Sequence, residues 1–350
     1  MQSLRLKNLL ITSNLSKFLC RQYAFTVNLN VKAIDSLEIA ADRAFGPNKK
    51  INVQVYDSQG RLQNGSQVNI MHHDDGFYMN YNRSEDDKLV VNFPLTARLK
   101  DFDVRITGEK TNVLIDELLM NSLNIELEKG DVTVKSVRVN DVKISTANNI
   151  TAKELFGPQM DKIQLNSSDG TVDVSECRCS EMTVIGKIVT IANCFNSINR
   201  FRASVEMTLA NILGNTQIRA DGEKFSLAGF AGTIKAIIGT KDNTLDFLMV
   251  QTDDNELNFT HPDAKCYLSF SNGMASKLSK ILIHANPNII TQTADDFTLT
   301  RLGDKLFEIV RSKGGDGIST LNIKVDHGQE LKLHKQTWKD AFQWFKRLFH

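Results

Sequence analysis

The sequence predicts an all-β protein: a parallel, right-handed β-solenoid with a small N-terminal antiparallel β region and a C-terminal amphipathic cap helix. Short alternating strands recur along the middle of the chain, separated by polar corners. No long stretch of 3.6-residue periodicity, which helical repeats require, interrupts them. The 350-residue chain is 41% hydrophobic, which is ample for a buried core.

Residues 1–23 have the composition of a mitochondrial presequence. No acidic residue precedes Asp35, and basic residues stand among Ser, Asn and Leu. On a helix, Ile11, Leu15 and Leu19 would share one face, which gives the basic amphipathic character of such a segment. The sequence therefore predicts a mitochondrial protein, located in the matrix.

The stretch RQYA at 21–24 resembles a matrix-processing site, with an Arg before an aromatic and a small residue, and predicts cleavage near Tyr23 or Ala24. A disordered N-terminus and a secretory signal remain alternatives, although Asn14 and Lys17 would interrupt the apolar core of a signal peptide. Asn-x-Ser/Thr sequons downstream of this segment would matter only on the secretory route. They begin at Asn64, Asn82, Asn149, Asn166 and Asn258.

Residues 24–100 are predicted to form the small antiparallel region. The stretches INVQVYD (51–57) and QVNIMHH (67–73) alternate like strands on either side of Asn64-Gly65, a strong hairpin signal. The acidic run SEDDK (84–88) is predicted to be a solvated loop.

The solenoid domain is predicted to span residues 101–333. Its strand starts recur at steps of about 19 residues. They are Val104, Leu123, Val142, Ile163, Met182, Phe201 and Ile218. Strands this short must stack, each coil pairing its backbone with its neighbours. An antiparallel β-sandwich is the alternative, but the Asn-Gly and Asp-Gly loops that its hairpins favour are sparse in 104–250. The register degrades in 251–333, as is typical of terminal coils.

Residues 334–350 are predicted to form an amphipathic helix. Thr337 begins a capping-box-like start, and Trp338, Phe342 and Phe345 fall on one face. Two interpretations stay open. The helix caps the open end of the solenoid, or it makes weak contact with a membrane surface or a partner.

Two stretches, GDVTV (130–134) and DGTVDV (169–174), resemble units of an adhesin-like β-solenoid family, a domain of unknown function widespread in bacteria. The segments 88–106 and 321–338 resemble, more narrowly, an animal family known as family with sequence similarity 185. The likeness spans most of 88–338. It implies the solenoid fold and no established activity, so no catalytic residue is carried over.

The cluster HHDD at 72–75 is the most metal-like in the chain. Since neighbours on a strand point to opposite faces, only His72 with Asp74, or His73 with Asp75, could share a metal ion. No third ligand is identifiable. The sequence therefore predicts a polar turn here, with no metal site.

The cysteines are predicted to be free thiols. Cys177 and Cys179 lie on one strand face, and Cys194 falls one coil away. Without a second pair of Cys or His residues, these positions favour buried core packing over a zinc site. Cys266 is predicted to be free as well.

Enzymes built on parallel β-helices offer the catalytic alternative, since they use several carboxylates for acid–base cleavage of polysaccharides. The candidates are Asp169, Asp173, Asp221 and Asp253, which fall mostly at corners, where Asp also serves turn formation. The chain lacks the phosphate-binding loop, nucleophile elbow and metalloprotease motifs. The sequence predicts no catalytic residue, no cofactor and no enzymatic activity.

The sequence favours a non-enzymatic mitochondrial binding or scaffolding protein that holds a protein or polymer partner along a sheet face. A net charge of +1 argues against nucleic acid as that partner, and no apolar run is long enough for a transmembrane span. Two alternatives remain: a secreted β-helix carbohydrate-active enzyme, and a peripheral membrane protein anchored by its C-terminal helix.

Overall fold

The computed structural model confirms an all-β parallel β-solenoid. It describes residues 25–42, 52–56, 59, 61–63, 69–73, 76–81, 88–94, 102–116, 119–156, 161–250, 255–270, 278–292, 297–311, 319–325 and 327–335. The described residues include one helical turn, the 3-10 turn Pro287–Ile289. The chain divides into two compact units, residues 1–170 and 171–350, referred to below as the first and second unit.

Among the described residues, the first unit contains twelve strands. They are β1 (Phe25–Asp42), β2 (Asn52–Tyr56), β3 (Leu62–Gln63), β4 (Asn69–His73), β5 (Gly76–Tyr81), β6 (Lys88–Pro94), β7 (Phe102–Asp116), β8 (Ser122–Lys129), β9 (Val132–Arg138), β10 (Asp141–Thr146), β11 (Ile150–Phe156) and β12 (Lys162–Ser167). The described part of the second unit contains eleven strands. They are β13 (Thr171–Cys177), β14 (Glu181–Gly232), β15 (Ile234–Val250), β16 (Asn255–Phe259), β17 (Lys265–Phe270), β18 (Leu278–His284), β19 (Ile290–Gln292), β20 (Phe297–Arg301), β21 (Leu306–Arg311), β22 (Ser319–Val325) and β23 (Glu330–Lys335).

The predicted register is confirmed in the first unit. Val104 lies opposite Leu123, Leu123 opposite Val142, and Val142 opposite Ile163, all in parallel pairs. These four side chains are buried, as their alternation with polar neighbours requires. A second column of parallel strands joins β7, β9 and β11. Each coil thus contributes one short strand to each column, and inward Val, Ile and Leu rows form the core.

The solenoid begins earlier than the predicted boundary at residue 101. β1 pairs in parallel with β7 along its length, and on its other edge it pairs in parallel with β5 and β6. The coil made of β5 and β6 therefore lies outside β1 although it follows β1 in sequence. The antiparallel pairing predicted for 24–100 is confirmed for β2 with β3 and β6, and for β4 with β5. Strand alternation alone does not distinguish parallel from antiparallel pairing, which explains the difference.

In the second unit, parallel pairs join β13 to β14, β14 to β15, and β15 to β16 and β17. β14 runs through several coils as one continuously hydrogen-bonded strand, although left-handed residues such as Asn193 and Asn211 lie within it. The core of the second unit contains a row of packed aromatic rings. Phe230 meets Phe247 edge to face at 6.3 Å between ring centroids, and Phe247 stacks on Phe270 at 5.9 Å. All three rings are fully buried, so they fill the interior of successive coils.

The last described coil stands out of sequence order. β22 lies between β16 and β18, with parallel pairs on both sides, and β23 lies between β17 and β19 in the same way. The chain thus passes over one coil position, builds the next, and returns to fill the gap. This explains the degraded register in 251–333, because the spacing there no longer follows the order of the coils. β21 then pairs antiparallel with β18, and β20 with β21.

Residues with a left-handed backbone, at a φ near +55°, recur along the described strands of both units. In the second unit these residues are Glu176, Asn193, Asn211 and Gly229, with φ between 53° and 65°. Ser136 and Glu154 are the corresponding residues in the first unit. Such a residue inserts two successive outward positions and bends the strand. The Asn211 amide donates to the Asn193 Oδ1 at 2.8 Å, and a Cβ at Gly229 would stand 2.6 Å from the Asn211 Oδ1.

The predicted helix at 334–350 starts too early, since His334 and Lys335 belong to β23. Residues 336–350 lie outside the described residues, as does the predicted presequence at 1–23. The edge of β18 that a cap would protect is paired with β21. No helix among the described residues has the length and apolar character needed to cross a membrane.

Candidate binding surface

The structure describes two of the four residues of the metal-like cluster HHDD at 72–75. His72 and His73 end β4, and His73 pairs opposite Gly76 at the start of β5. Asp74 and Asp75 lie outside the described residues. Within the part of the chain that the structure describes, no group of three or more His, Cys, Asp or Glu side chains could hold a metal ion.

The candidate carboxylates occupy separate positions. Asp173 is exposed and lies opposite Thr190, whereas Asp221 lies opposite Gly239 and accepts a hydrogen bond from the Arg219 Nε at 3.2 Å. Asp169 is an exposed corner residue, and Asp253 lies outside the described residues. The strand register therefore does not place Asp173 beside Asp221, as paired acid–base catalysis would require.

The prediction for the cysteines is confirmed. Cys177 lies opposite Cys194 in the parallel pair, and Cys177, Cys179 and Cys194 are buried free thiols. A hydrogen bond with Cys179 lowers the pKa of Cys177, but a hydrogen bond with Cys194 and burial outweigh it and raise that pKa. Hydrogen bonding with Cys177 and burial raise the pKa of Cys179. Burial raises the pKa of Cys266 to about 12. The thiols of Cys177, Cys179 and Cys266 are therefore protonated and poor nucleophiles at neutral pH.

A buried polar network surrounds the cysteines, and the sequence analysis missed it. The Asn196 Oδ1 accepts from the Cys179 backbone N–H at 2.8 Å, and the Asn196 Nδ2 donates to the Asn199 Oδ1 at 2.8 Å. The Asn199 Nδ2 in turn donates to the Thr216 Oγ1 at 3.1 Å. The three polar side chains are buried. An asparagine in an inward position of the strand alternation was the available signal, since buried amides need partners.

Phe195, Leu213 and Ala231 form an outward apolar row in the second unit, called here the corner row. Leu213 lies one coil beyond Phe195, because contacts on both sides align the two residues. Before them, Asn211 donates a hydrogen bond to Asn193, and after them, Gly214 lies against the Asn196 backbone. The corner row has a large exposed apolar area, with Phe195 51% and Leu213 39% exposed. Ala231 extends it by one more coil, because Gly232 lies against Gly214.

Local backbone geometry fixes the corner row in place. The left-handed residues Asn193 and Asn211 each stand two positions before a member of the row and turn the chain outward. On the other side, Gly214 has a φ of +112°, and a Cβ there would stand 1.9 Å from the Asn196 carbonyl oxygen. Only glycine fits so close an approach of two backbones.

Charged rows dominate the neighbouring outward surface. The Lys224 Nζ lies 3.2 Å from Glu206, and Arg200 pairs with Glu181. Lys224 also begins a row of residues that lie opposite one another on successive strands and alternate between positive and negative charge. The row continues through Asp242, Lys265 and Glu330. A hydrogen bond from Lys332 lowers the pKa of Glu330. Exposed pairs of this kind contribute little stability, so their effect is to keep this surface soluble and to set off the apolar corner row.

Comparison with known proteins gives a family model and a solved structure. A family model described as Toastrack DUF4097 matches residues 26–263. Comparison with curated proteins gives no match. Among solved structures, one described as a "putative cell adhesion protein" from Clostridium sporogenes matches with 11% sequence identity and a TM-score of 0.17, covering 90% of this chain and 94% of that chain.

Proposed function

Because this chain belongs to the Toastrack DUF4097 family, a description that names no activity, we propose its function from its surface: it is a non-enzymatic mitochondrial binding or scaffolding protein. It holds a protein or polymer partner along an outward face of the solenoid. The corner row carries this proposal, since its exposed apolar side chains lie on an outward surface that also carries charged rows. Contiguous exposed apolar residues rimmed by polar ones are typical of interaction sites.

The spacing of the corner row suits an elongated partner. Adjacent coils stand about 4.8 Å apart, so Phe195, Leu213 and Ala231 present apolar contacts at that repeat along the axis. One turn of an α-helix rises about 5.4 Å, so the apolar stripe of a partner helix can follow the row over two or three contacts. Phe195 supplies the largest contact. With 51% of its surface exposed, its burial would contribute about 2.5 kcal/mol, taking ~200 Å² for the residue and ~25 cal/mol per Å².

Proximity labelling in cells tests this proposal, with the labelling enzyme fused to the full chain. Phe195→Glu and Leu213→Glu should each remove the same set of labelled neighbours. The Phe195 estimate corresponds to roughly a 60-fold loss of affinity, since about 1.4 kcal/mol is tenfold. Phe156→Glu is the matched control, because Phe156 is an exposed phenylalanine of the first unit at 39%. Labelling that is unchanged in both corner-row variants, or lost equally in the control, would refute the proposal.

The mitochondrial location is supported by the composition of residues 1–23 and by the RQYA stretch at 21–24. Sequencing the mature N-terminus of the native protein from purified mitochondria tests it, with a new N-terminus near Tyr23 or Ala24 as the expected result. Glycans on the sequons would contradict the proposal. At Asn149 the amide nitrogen that would carry a glycan donates to the Asp131 Oδ1 at 3.0 Å, within a corner ladder.

Two narrower proposals rest on sequence alone. The segments 88–106 and 321–338 support membership in the animal family with sequence similarity 185. The aromatic pattern at 337–349 supports weak contact with a membrane surface. Deleting 337–349 should release the protein into the soluble fraction if that contact exists. Aggregation after the same deletion would instead indicate that this segment caps the solenoid.

A further inference from the structure

β20 is an open edge of the sheet in the second unit. β18 pairs antiparallel with β21, and β21 pairs antiparallel with β20 without a shift in register. Among the described residues, no other strand pairs with β20. Thr300 and Arg301 are exposed and Leu302 is 48% exposed, so solvent reaches this part of the hairpin. An unpaired edge of this kind is a template for another strand.

The register shows which backbone groups of β20 face outward. The Leu302 N–H donates to the Leu306 carbonyl oxygen at 2.9 Å. Since hydrogen-bonded pairs alternate along an antiparallel ladder, the Thr300 backbone also bonds to β21. The N–H and C=O groups of Leu299 and Arg301 therefore point away from β21. A strand laid along this edge would supply hydrogen-bond partners for these groups.

Leu299 brings an apolar side chain to the middle of this edge. Through Ile309, Leu299 lies two strands away from Ile281 at the same level of the sheet, so Leu299 and Ile281 share one face. Ile281 is buried in the core, whereas Leu299 is only partly buried. The apolar face of the core therefore continues to the edge strand, where a neighbouring strand could cover it.

β20 lacks the features that usually protect an edge. It contains neither lysine nor proline. Its charged residue, Arg301, is turned toward the hairpin, where its Nε donates to the Gly303 carbonyl oxygen at 3.0 Å and its guanidinium lies 3.4 Å from Asp304. The charge of Arg301 is thus engaged at the end of the strand, and the middle of the edge stays available for pairing.

We propose that β20 pairs antiparallel with β20 of a second copy of this chain. A two-fold axis at Leu299 sets the two Leu299 residues opposite each other and Arg301 opposite Phe297 of the second copy. In this register the outward-facing backbone groups of each strand meet those of the other, and the two leucines extend one apolar face. The net charge of +1 leaves little repulsion between two copies. This contact is independent of the corner row and of the partner proposed for it.

Sedimentation equilibrium of the full chain over a wide range of concentrations tests the proposal, and a reversible monomer–dimer equilibrium is expected. Leu299→Lys and Leu299→Glu each place like charges opposite each other at the two-fold axis and should weaken dimerisation by about tenfold or more. An equimolar mixture of these two variants should dimerise again, because opposite charges then face each other. Ile237→Lys, at a 50% exposed apolar position of the same unit, is the matched control and should leave the dimer unchanged.

Two further measurements locate the contact. Leu299→Pro removes an outward N–H and no bond to β21, so it should weaken dimerisation while thermal melts show that the fold is retained. Site-resolved hydrogen exchange on the wild-type protein should protect the Leu299 and Arg301 amides more strongly at high concentration and leave the Thr300 amide unchanged. The proposal is overturned if the wild-type protein is monomeric at every concentration, which would leave the edge to an extended segment of another protein. It is equally overturned if the Leu299 variants dimerise as the wild type does, or if Ile237→Lys loses as much affinity as they do.

Discussion

The buried amide of Asn196 makes the sharpest prediction about stability. In Asn196→Ala, the Cys179 backbone N–H loses its acceptor at 2.8 Å, and the Asn199 Oδ1 loses its donor at 2.8 Å. Asn196 and Asn199 are 4% and 0% exposed, so water cannot replace these partners without opening the coil. An orphaned buried polar group costs about 1–3 kcal/mol, so the two together predict a loss of about 2–6 kcal/mol.

Equilibrium urea denaturation, followed by far-UV circular dichroism, measures this loss. Asn215→Ala is the matched control, because Asn215 is an exposed asparagine of the same strand and should change the free energy of unfolding by less than about 0.5 kcal/mol. Restoring a partner tests the reasoning further, since Asn196→Gln keeps both hydrogen-bonding functions but displaces them. A loss below about 1 kcal/mol in Asn196→Ala would refute the view that this network stabilises the corner.

Three further predictions concern the core, a corner and pH. Phe247→Ala should lower the free energy of unfolding in urea by about 3–5 kcal/mol, because its ring is fully buried between two others. Phe195→Ala, at an exposed position, should lower it by less than about 1 kcal/mol. Equal losses of stability in the two variants would contradict this packing of the core. Gly214→Ala should lower the melting temperature strongly, because its Cβ would stand 1.9 Å from a carbonyl oxygen, while Gly303→Ala, with 3.8 Å of space, should not. Burial and the nearby Asp161 raise the pKa of Asp141, so its contribution to stability is lost as pH rises through the folded value. Asp141 is an exposed residue, so the effect is small. Asp141→Asn should raise the melting temperature slightly at pH 7 and not at pH 3, and the opposite pattern would contradict a raised pKa at this carboxyl.

The register of the first unit was predictable because alternation and spacing agree. Val104, Leu123, Val142 and Ile163 recur at a nearly constant step, and one buried row satisfies all four. The inward packing of Cys177 and Cys194 followed from the same two rules. Where the order of the coils follows the order of the strands in the chain, a single sequence is sufficient to predict the strand register.

The order of the terminal coils was not predictable in the same way. The strands β1, β18 and β22 each alternate normally, but nothing local states which coil lies beside which, because parallel pairing depends on contacts far apart in sequence. The left-handed residues escaped prediction for another reason. Glu154 and Glu176 adopt a conformation that usually favours glycine or asparagine, so their side chains give no signal of it.

Sequence patterns predicted the kind of binding surface but not the residues that form it. An outward sheet face was expected to bind a partner, but the corner row depends on left-handed residues that the sequence did not reveal. The neighbourhood of His284 and Lys324 depends on the return of β22 to the side of β18, which joins residues from segments that the sequence separates. Both features come from nonlocal geometry, and single-sequence patterns report mainly local geometry.

The displaced coil of β22 and β23 has a consequence for assembly. In an ordinary solenoid, repeats can be added one after another, and a lost terminal repeat merely shortens the array. Here β18 and β19 have no parallel neighbour to dock on until residues 319–335 have arrived. The last quarter of the chain must consequently fold as one block. A truncation before residue 319 would remove the parallel partners of β18 and β19, so that both strands would detach from the stack of coils together.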